Sequence, residues 1–160
     1  MSLPAVGDPA PEVALPDETG RVHRQADQRG RWTVLYFYPT DDTPGCTVEA
    51  CEFRDQNDTI QERGADVWGI SPQGAASKRA FRAKFGLPFT LLADERHEVA
   101  DSYGSWVEKH NYGKTYWGTA RTTFLISPDG RIARVWPKVK PEGHAREVLA
   151  ALDDLGAAAG

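Results

Sequence analysis

The sequence predicts an α/β fold in which a mixed β-sheet is covered by helices on both faces. Three observations predict it. Runs of β-branched, aromatic and apolar residues recur along the chain, helical stretches that stop at a glycine separate them, and the last two runs flank a tight turn rather than a helix. At 160 residues the chain has the size of one domain with one core, so a single domain over residues 1–160 is expected.

Taken in order, the chain enters through Pro4, Pro9 and Pro11. Glu12 to His23 then reads as two short extended pieces joined across Pro16-Asp17-Glu18-Thr19-Gly20, an N-terminal β-hairpin. Trp32 to Tyr38 is an unbroken strand-forming run closed by Pro39, the pattern of a strand buried on both faces. Further strands are expected at Asp66 to Ser71, Phe89 to Asp94, Thr122 to Ser127 and Ile132 to Trp136, the last two joined by Ser127-Pro128-Asp129-Gly130-Arg131. Helices over residues 46–63, 74–85 and 95–103 stop at Gly64, Gly86 and Gly104, which suit a left-handed residue after a helix end. A final helix places Ala145, Val148, Leu149 and Leu152 in one apolar stripe, and the small tail Gly156 to Gly160 is expected to fray. Strands alternating with helices, then an antiparallel pair, then a helix, fit a thioredoxin-like sandwich with a central mixed sheet.

Composition excludes several functions. With 19 Lys+Arg against 23 Asp+Glu the net charge is −4, and no basic run offers a track for nucleic acid. No stretch approaches the roughly 20 apolar residues that span a bilayer, so no membrane partner is expected. Met1 to Asp8 lacks the basic and apolar regions of a secretory signal, so the expected location is the reducing cytoplasm, where a permanent disulfide is disfavoured. The two cysteines therefore need their own explanation. A zinc site fails on ligand count, because His23, His97, His110 and His144 are scattered without helical pairing and read as solvated surface residues.

Both cysteines fall just after the strand-closing Pro39. Pro39 ends the strand, Asp41 to Gly45 form a turn, and Cys46 lands in the first turn of a helix at the carboxyl edge of the sheet, where open α/β folds place ligands. Unpaired backbone N–H groups and the positive helix end favour an anion there, hence the thiolate, which is the reactive form. An inert cysteine packed at a helix start has no need of the hydroxyl and exposed backbone that Thr43, Pro44 and Gly45 supply. Thr43 can turn its hydroxyl to the sulfur or to an incoming oxygen, or satisfy the local backbone as a helix cap. Glu49 follows Cys46 by three residues and shares a helix face with the sulfur or with the preceding loop; a first-turn acid favourable to the helix dipole is the alternative. Cys51 lies five residues after Cys46. On an intact helix the two Cα atoms are about 8 to 9 Å apart, beyond the roughly 7 Å that a disulfide spans. A Cys46–Cys51 bond thus requires the first turns to unwind. A core-facing cysteine beside Ala50, Phe53 and Ile60 is the other reading of Cys51. Four intervening residues also exclude the Cys-x-x-Cys pattern. Trp106 to Trp117, aromatic and interrupted by glycine, reads as a loop flanking the pocket.

The run Tyr36-Phe37-Tyr38-Pro39-Thr40-Asp41-Asp42-Thr43-Pro44-Gly45-Cys46-Thr47-Val48-Glu49-Ala50-Cys51 resembles the active-site segment of peroxiredoxins, and its second cysteine resembles their bacterioferritin-comigratory, or Q-type, subgroup. The family pattern falls on Pro39, Thr43 and Cys46, and the similarity continues through Gly118 to Ile126. Thr40 stands where the subgroup often has lysine and Ser127 where it often has aspartate. The resemblance implies a thiol peroxidase with Cys46 as peroxidatic cysteine, Cys51 as resolving cysteine within the subunit, Arg121 at the site, and Glu49 ordering it by hydrogen bonds. It implies a hydroperoxide substrate and thioredoxin, or glutaredoxin in its place, as reductant. No cofactor or metal is expected, and the chain is expected to act as a monomer or weak homodimer. A redox sensor or a thiol-disulfide oxidoreductase using the same two cysteines are the competing readings.

Overall fold

The computed structural model describes residues 3–156, so the tail expected to fray lies outside the described residues from Ala157 onward. The expected N-terminal hairpin forms from β1 (Ala14–Pro16) and β2 (Val22–Arg24), with Ala14 opposite Arg24. The central strand β3 (Trp32–Phe37) is followed by α1 (Pro44–Glu62), β4 (Ala65–Ser71), α2 (Ala75–Phe85) and β5 (Thr90–Ala93). Then come α3 (Glu98–Ser102), β6 (Trp106–Asn111), β7 (Lys114–Thr119), β8 (Thr122–Ile126), β9 (Ile132–Trp136) and α4 (His144–Asp154).

Five strands form one sheet in the order β5-β4-β3-β8-β9. β3 runs parallel to β4 and antiparallel to β8, so the sheet is mixed as the element order predicts. Successive side chains of β3 point to opposite faces, and the core divides accordingly. Val34 and Tyr36 pack with Phe53 and Ile60 of α1, Phe81 of α2 and Val148 and Leu152 of α4. Leu35 and Phe37 pack with Leu15 of the hairpin, Val99 of α3 and Phe124 of β8. Gly64, Gly86 and Gly104 all have positive φ, the backbone that lets a helix end turn away without a Cβ clash. Among the described residues no helix is long and apolar enough to cross a membrane.

Three expectations need correction. The helix expected over 95–103 is only Glu98–Ser102, because His97 takes φ 50° and the Asp94 carboxylate accepts the N–H groups of Val99 and Ala100 at 3.3 and 2.8 Å, starting the helix late. The expected loop at Trp106 to Trp117 is the paired hairpin β6–β7. Its glycine marks a two-residue turn, Tyr112-Gly113, with φ of 51° and 74°, the left-handed pair whose twist matches that of the strands. Finally, His144 is fully buried rather than solvated: its ring nitrogens contact Thr123 Oγ1 at 2.8 Å and Glu147 Oε1 at 3.0 Å. Burial lowers its pKa, opposed by Glu147, so the imidazole is held neutral.

Candidate active site

Sheet register brings the site together. Phe37 at the end of β3 lies opposite Thr122 at the start of β8, so Arg121 sits beside the point where the chain leaves the sheet for α1. The Arg121 carbonyl is fixed by the N–H of Val139 at 3.1 Å. Downstream of β3, Pro39 begins the loop, Thr43 is the N-cap of α1 in extended conformation, and Pro44 opens the helix, where its fixed φ is suited and its missing N–H costs nothing. Cys46 is therefore in the first turn, with its side chain buried at 1% exposure.

Arg121 joins the two acidic groups of this turn. Its Nη2 donates to Cys46 Sγ at 3.2 Å and its Nη1 to Glu49 Oε1 at 2.7 Å. Burial opposes the arginine's charge, but Glu49 and Cys46 outweigh it and raise its pKa. Glu49 is 1% exposed and its second oxygen, Oε2, has no hydrogen-bond partner. Burial raises its pKa to about 7, with Arg121 pulling the other way. It is thus no ordinary solvated first-turn acid. Removing one partner from such a buried pair costs about 3–5 kcal/mol. Gly45 makes room for the arginine: a Cβ there would lie 3.2 Å from Arg121 Nη2 and 3.5 Å from Pro141 Cγ.

The remaining expected residues are placed as follows. Pro39 is half-buried, and its carbonyl accepts the Gln73 side-chain amide at 3.1 Å. The Thr43 hydroxyl donates to the Thr40 carbonyl at 3.0 Å, bracing the loop, and has no hydrogen bond to the sulfur. Cys51 is half-buried on α1 and outside the packed core, and both cysteines are free thiols. A recess of about 380 Å³ between α1 and α4, lined by Glu52, Gly143 and Arg146 among others, contains none of Cys46, Glu49 or Arg121.

Three features around the site are not legible in the sequence. Tyr36 stacks on Phe53 beneath α1, 4.8 Å between ring centres; its buried hydroxyl is unpartnered, and burial, then Glu49 and Cys46, push its pKa well up. Lys109 of β6 lies along Gly118, with Cδ 3.4 Å from where a Cβ would be; burial lowers its pKa, Arg121 adds to that and Cys46 opposes it. It thereby adds a second cation to the field at the sulfur. Asp41 and Lys78, the third case, form a buried ion pair behind the loop. The signal for Lys78 was present, since it shares a helix face with Phe81 and Phe85 at spacings of three and seven.

A buried sulfur at a helix N-terminus, bonded to an arginine that a buried carboxylate shares, defines a thiol-chemistry site on a thioredoxin-like fold. The AhpC/TSA family pattern matches residues 6–135, and the chain belongs to that family, the peroxiredoxins. Within it, the chain is 47% identical to the putative peroxiredoxin bcp of Coxiella burnetii, over 92% of this chain and 97% of that one. A cysteine mutant of Xylella fastidiosa PrxQ superposes with a TM-score of 0.92 at 33% identity, covering 98% of this chain and 99% of that one. A structure of the bacterioferritin comigratory protein of Xanthomonas campestris superposes at 0.85 with 37% identity, covering 89% and 91%, and concerns that protein's alkyl peroxide reduction activity. These relatives imply an oxidoreductase with thiol-dependent peroxidase activity, acting on a hydroperoxide with a thiol reductant.

Proposed function

We propose that the chain, as one domain over 1–160, reduces hydrogen peroxide and organic hydroperoxides with Cys46 as nucleophile and Cys51 as its resolving partner. The observation that carries the reading is the arginine fork, with Arg121 bonded at once to Cys46 Sγ and Glu49 Oε1. The Cys46 thiolate attacks the terminal peroxide oxygen. An S–O bond forms, the O–O bond breaks, and the departing alkoxide or hydroxide takes a proton to leave as alcohol or water. Two negative charges are then in play, one fading on sulfur and one growing on oxygen. Arg121 and the free N–H groups of the first turn of α1 meet both, and their hydrogen bonds strengthen as charge develops. Pro39 and Thr43 hold the loop, Thr43 through the Thr40 carbonyl. Lys109 adds positive potential from β6.

The oxidised Cys46 is then a sulfenic acid. Attack by the Cys51 thiol expels water and forms the Cys46–Cys51 disulfide before further oxidation. Since both cysteines are on α1, the turn bearing Cys46 opens first. A dithiol reductant of thioredoxin type returns the pair to thiols, with glutaredoxin as a substitute, and the reaction belongs in the cytoplasm.

Single-turnover oxidation of wild type, Cys46→Ser and Cys51→Ser under limiting peroxide tests the reading. Cys46→Ser is expected to lose peroxide consumption, and Cys51→Ser to keep the first oxidation, accumulate a trappable sulfenic acid at Cys46 and fail to turn over with thioredoxin. Full peroxidase activity in Cys46→Ser overturns the assignment. Undiminished turnover in Cys51→Ser overturns the resolving role alone.

A further inference from the structure

Behind the loop that precedes Cys46, Asp41 and Lys78 form an ion pair with no access to water, their side chains 2% and 0% exposed. Lys78 Nζ lies 3.3 Å from Asp41 Oδ2 and donates to Ser71 Oγ at 2.6 Å. The Asp41 carboxylate also accepts the hydroxyls of Tyr38 at 2.5 Å and Ser77 at 2.7 Å. Gln73 closes the arrangement: its side-chain oxygen accepts the Asp41 N–H at 3.0 Å and its amide donates to the Pro39 carbonyl at 3.1 Å. On the outer side, Lys84 of the same helix pairs with Asp42 at 2.9 Å. Residues 39–42 are thus gripped from α2 and from the strand-to-helix link before it.

A buried ion pair is a poor source of stability, because desolvation of both charges offsets most of their attraction and a well-packed apolar pair of equal volume does as well. What it supplies is a fixed position. The next residue, Asp42, has φ 58°, a left-handed conformation uncommon outside glycine, followed by the extended Thr43 and the start of α1. The bend between loop and helix therefore falls directly after the gripped residues. Farther along α1, Phe53 and Ile60 are fixed in the core. A helix start that must hold Cys46 against Arg121 and later release it toward Cys51 has two fixed ends, and the upstream one is Asp41.

We propose that the Asp41–Lys78 pair is the anchor that positions the peroxidatic loop, fixing Cys46 for the peroxide step and setting the balance between the closed site and the opened helix. Asp41 and Lys78 are positioning residues, since neither is bonded to the sulfur. The proposal rests on the Cys46 and Cys51 roles given above.

The test measures two rate constants per folded molecule, oxidation of Cys46 and closing of the Cys46–Cys51 bond, by rapid quench, alkylation and mass spectrometry. The double variant Asp41→Asn/Lys78→Met removes both charges and leaves neither alone. It is expected to slow the peroxide step roughly tenfold, as a small misplacement of a reacting atom does, while closing proceeds at least as fast as in wild type. Lys84→Ala, on the exposed pair, is expected to shift the same ratio in the same direction by about twofold, fading as salt rises. A merely structural pair lowers stability but leaves both rates of the folded fraction alike. Unchanged rates, or an equal loss in both, overturn the proposal. If the double variant does not fold, Ser77→Ala and Lys84→Ala decide by the same ratio. Failure of the underlying reading is distinct, because it shows as peroxide consumption that survives Cys46→Ser.

Discussion

Replacing Glu49 by glutamine asks whether the buried carboxyl at the site carries a proton close to neutral pH. Burial raises its folded pKa from 4.5 to about 7, opposed by Arg121, and unfolding returns it to the ordinary range. An acid with a raised folded pKa binds more protons in the native than in the unfolded chain between those two values, so the free energy of unfolding falls as pH rises through them. Below the unfolded value the burial penalty is absent; above about 7 it is complete. Across that window of about 2.5 pH units the loss amounts to about 3 kcal/mol. Glutamine keeps an oxygen for Arg121 Nη1 but cannot ionise, so the variant lacks this penalty at any pH. Urea unfolding of the reduced wild type and of Glu49→Gln, from below 4.5 to above 7, measures it. Acids such as Asp17 and Asp66, whose pKa values are lowered, contribute equally to both proteins and cancel in the difference. The variant is expected to gain on the wild type steadily as pH rises through the window. Two curves that stay parallel refute the reasoning.

Two further substitutions test the arginine fork. Arg121→Ala is expected to slow the peroxide step by about 10²–10³, the usual loss when one donor is removed from developing charge; an unchanged rate of Cys46 oxidation removes Arg121 from the reacting sulfur. Gly45→Ala is expected to separate activity from stability. Its backbone is helical, so alanine favours the helix by up to about 1 kcal/mol, whereas the new Cβ lies 3.2 Å from Arg121 Nη2 and displaces it. Slower Cys46 oxidation in a protein at least as stable as wild type is the expected result, and an undisturbed oxidation rate contradicts the crowding.

What the sequence made legible follows periodicity and local backbone chemistry. β3 is readable because it is apolar at consecutive positions, as a strand covered on both faces must be, and α4 because its stripe repeats at helical spacing. Cys46 is readable because a proline, a turn and a helix start are local events. The fork is not local. Arg121 lies 75 residues from Cys46, and only the β3–β8 register brings them together. The hairpin β6–β7 reads as a loop flanking the pocket because its glycine and aromatics obscure a two-residue turn, so the strand register that sets Lys109 opposite Tyr116 is not legible. His144 reads as a solvated histidine when taken alone, yet it stands four and eight residues before Val148 and Leu152 of the α4 stripe; what the sequence does not carry is its partner Thr123, 21 residues earlier. Lys78 is the same case: its position on the apolar face of α2 is visible, and its partner is supplied by a loop 37 residues earlier.

In the proposed cycle the fork and the resolving reaction meet in one residue. Glu49 lies between Cys46 and Cys51, so a turn that opens to bring the sulfurs together carries Glu49 away from Arg121. Once solvated, its carboxyl returns toward 4.5 and releases the proton it held up to about 7. Opening is therefore coupled to proton release: unaided at acid pH, it becomes easier as pH rises through the window, by at most the same 3 kcal/mol or so that the buried acid costs the folded chain. Closing of the disulfide after a single oxidation should accelerate with pH more steeply in the wild type than in Glu49→Gln, so the ratio of wild-type to variant closing rates rises between 4.5 and 7 and is level above it. A ratio that is constant across the window means that Glu49 stays with Arg121 while the sulfurs meet, and that the helix opens by a route that spares the third residue after Cys46.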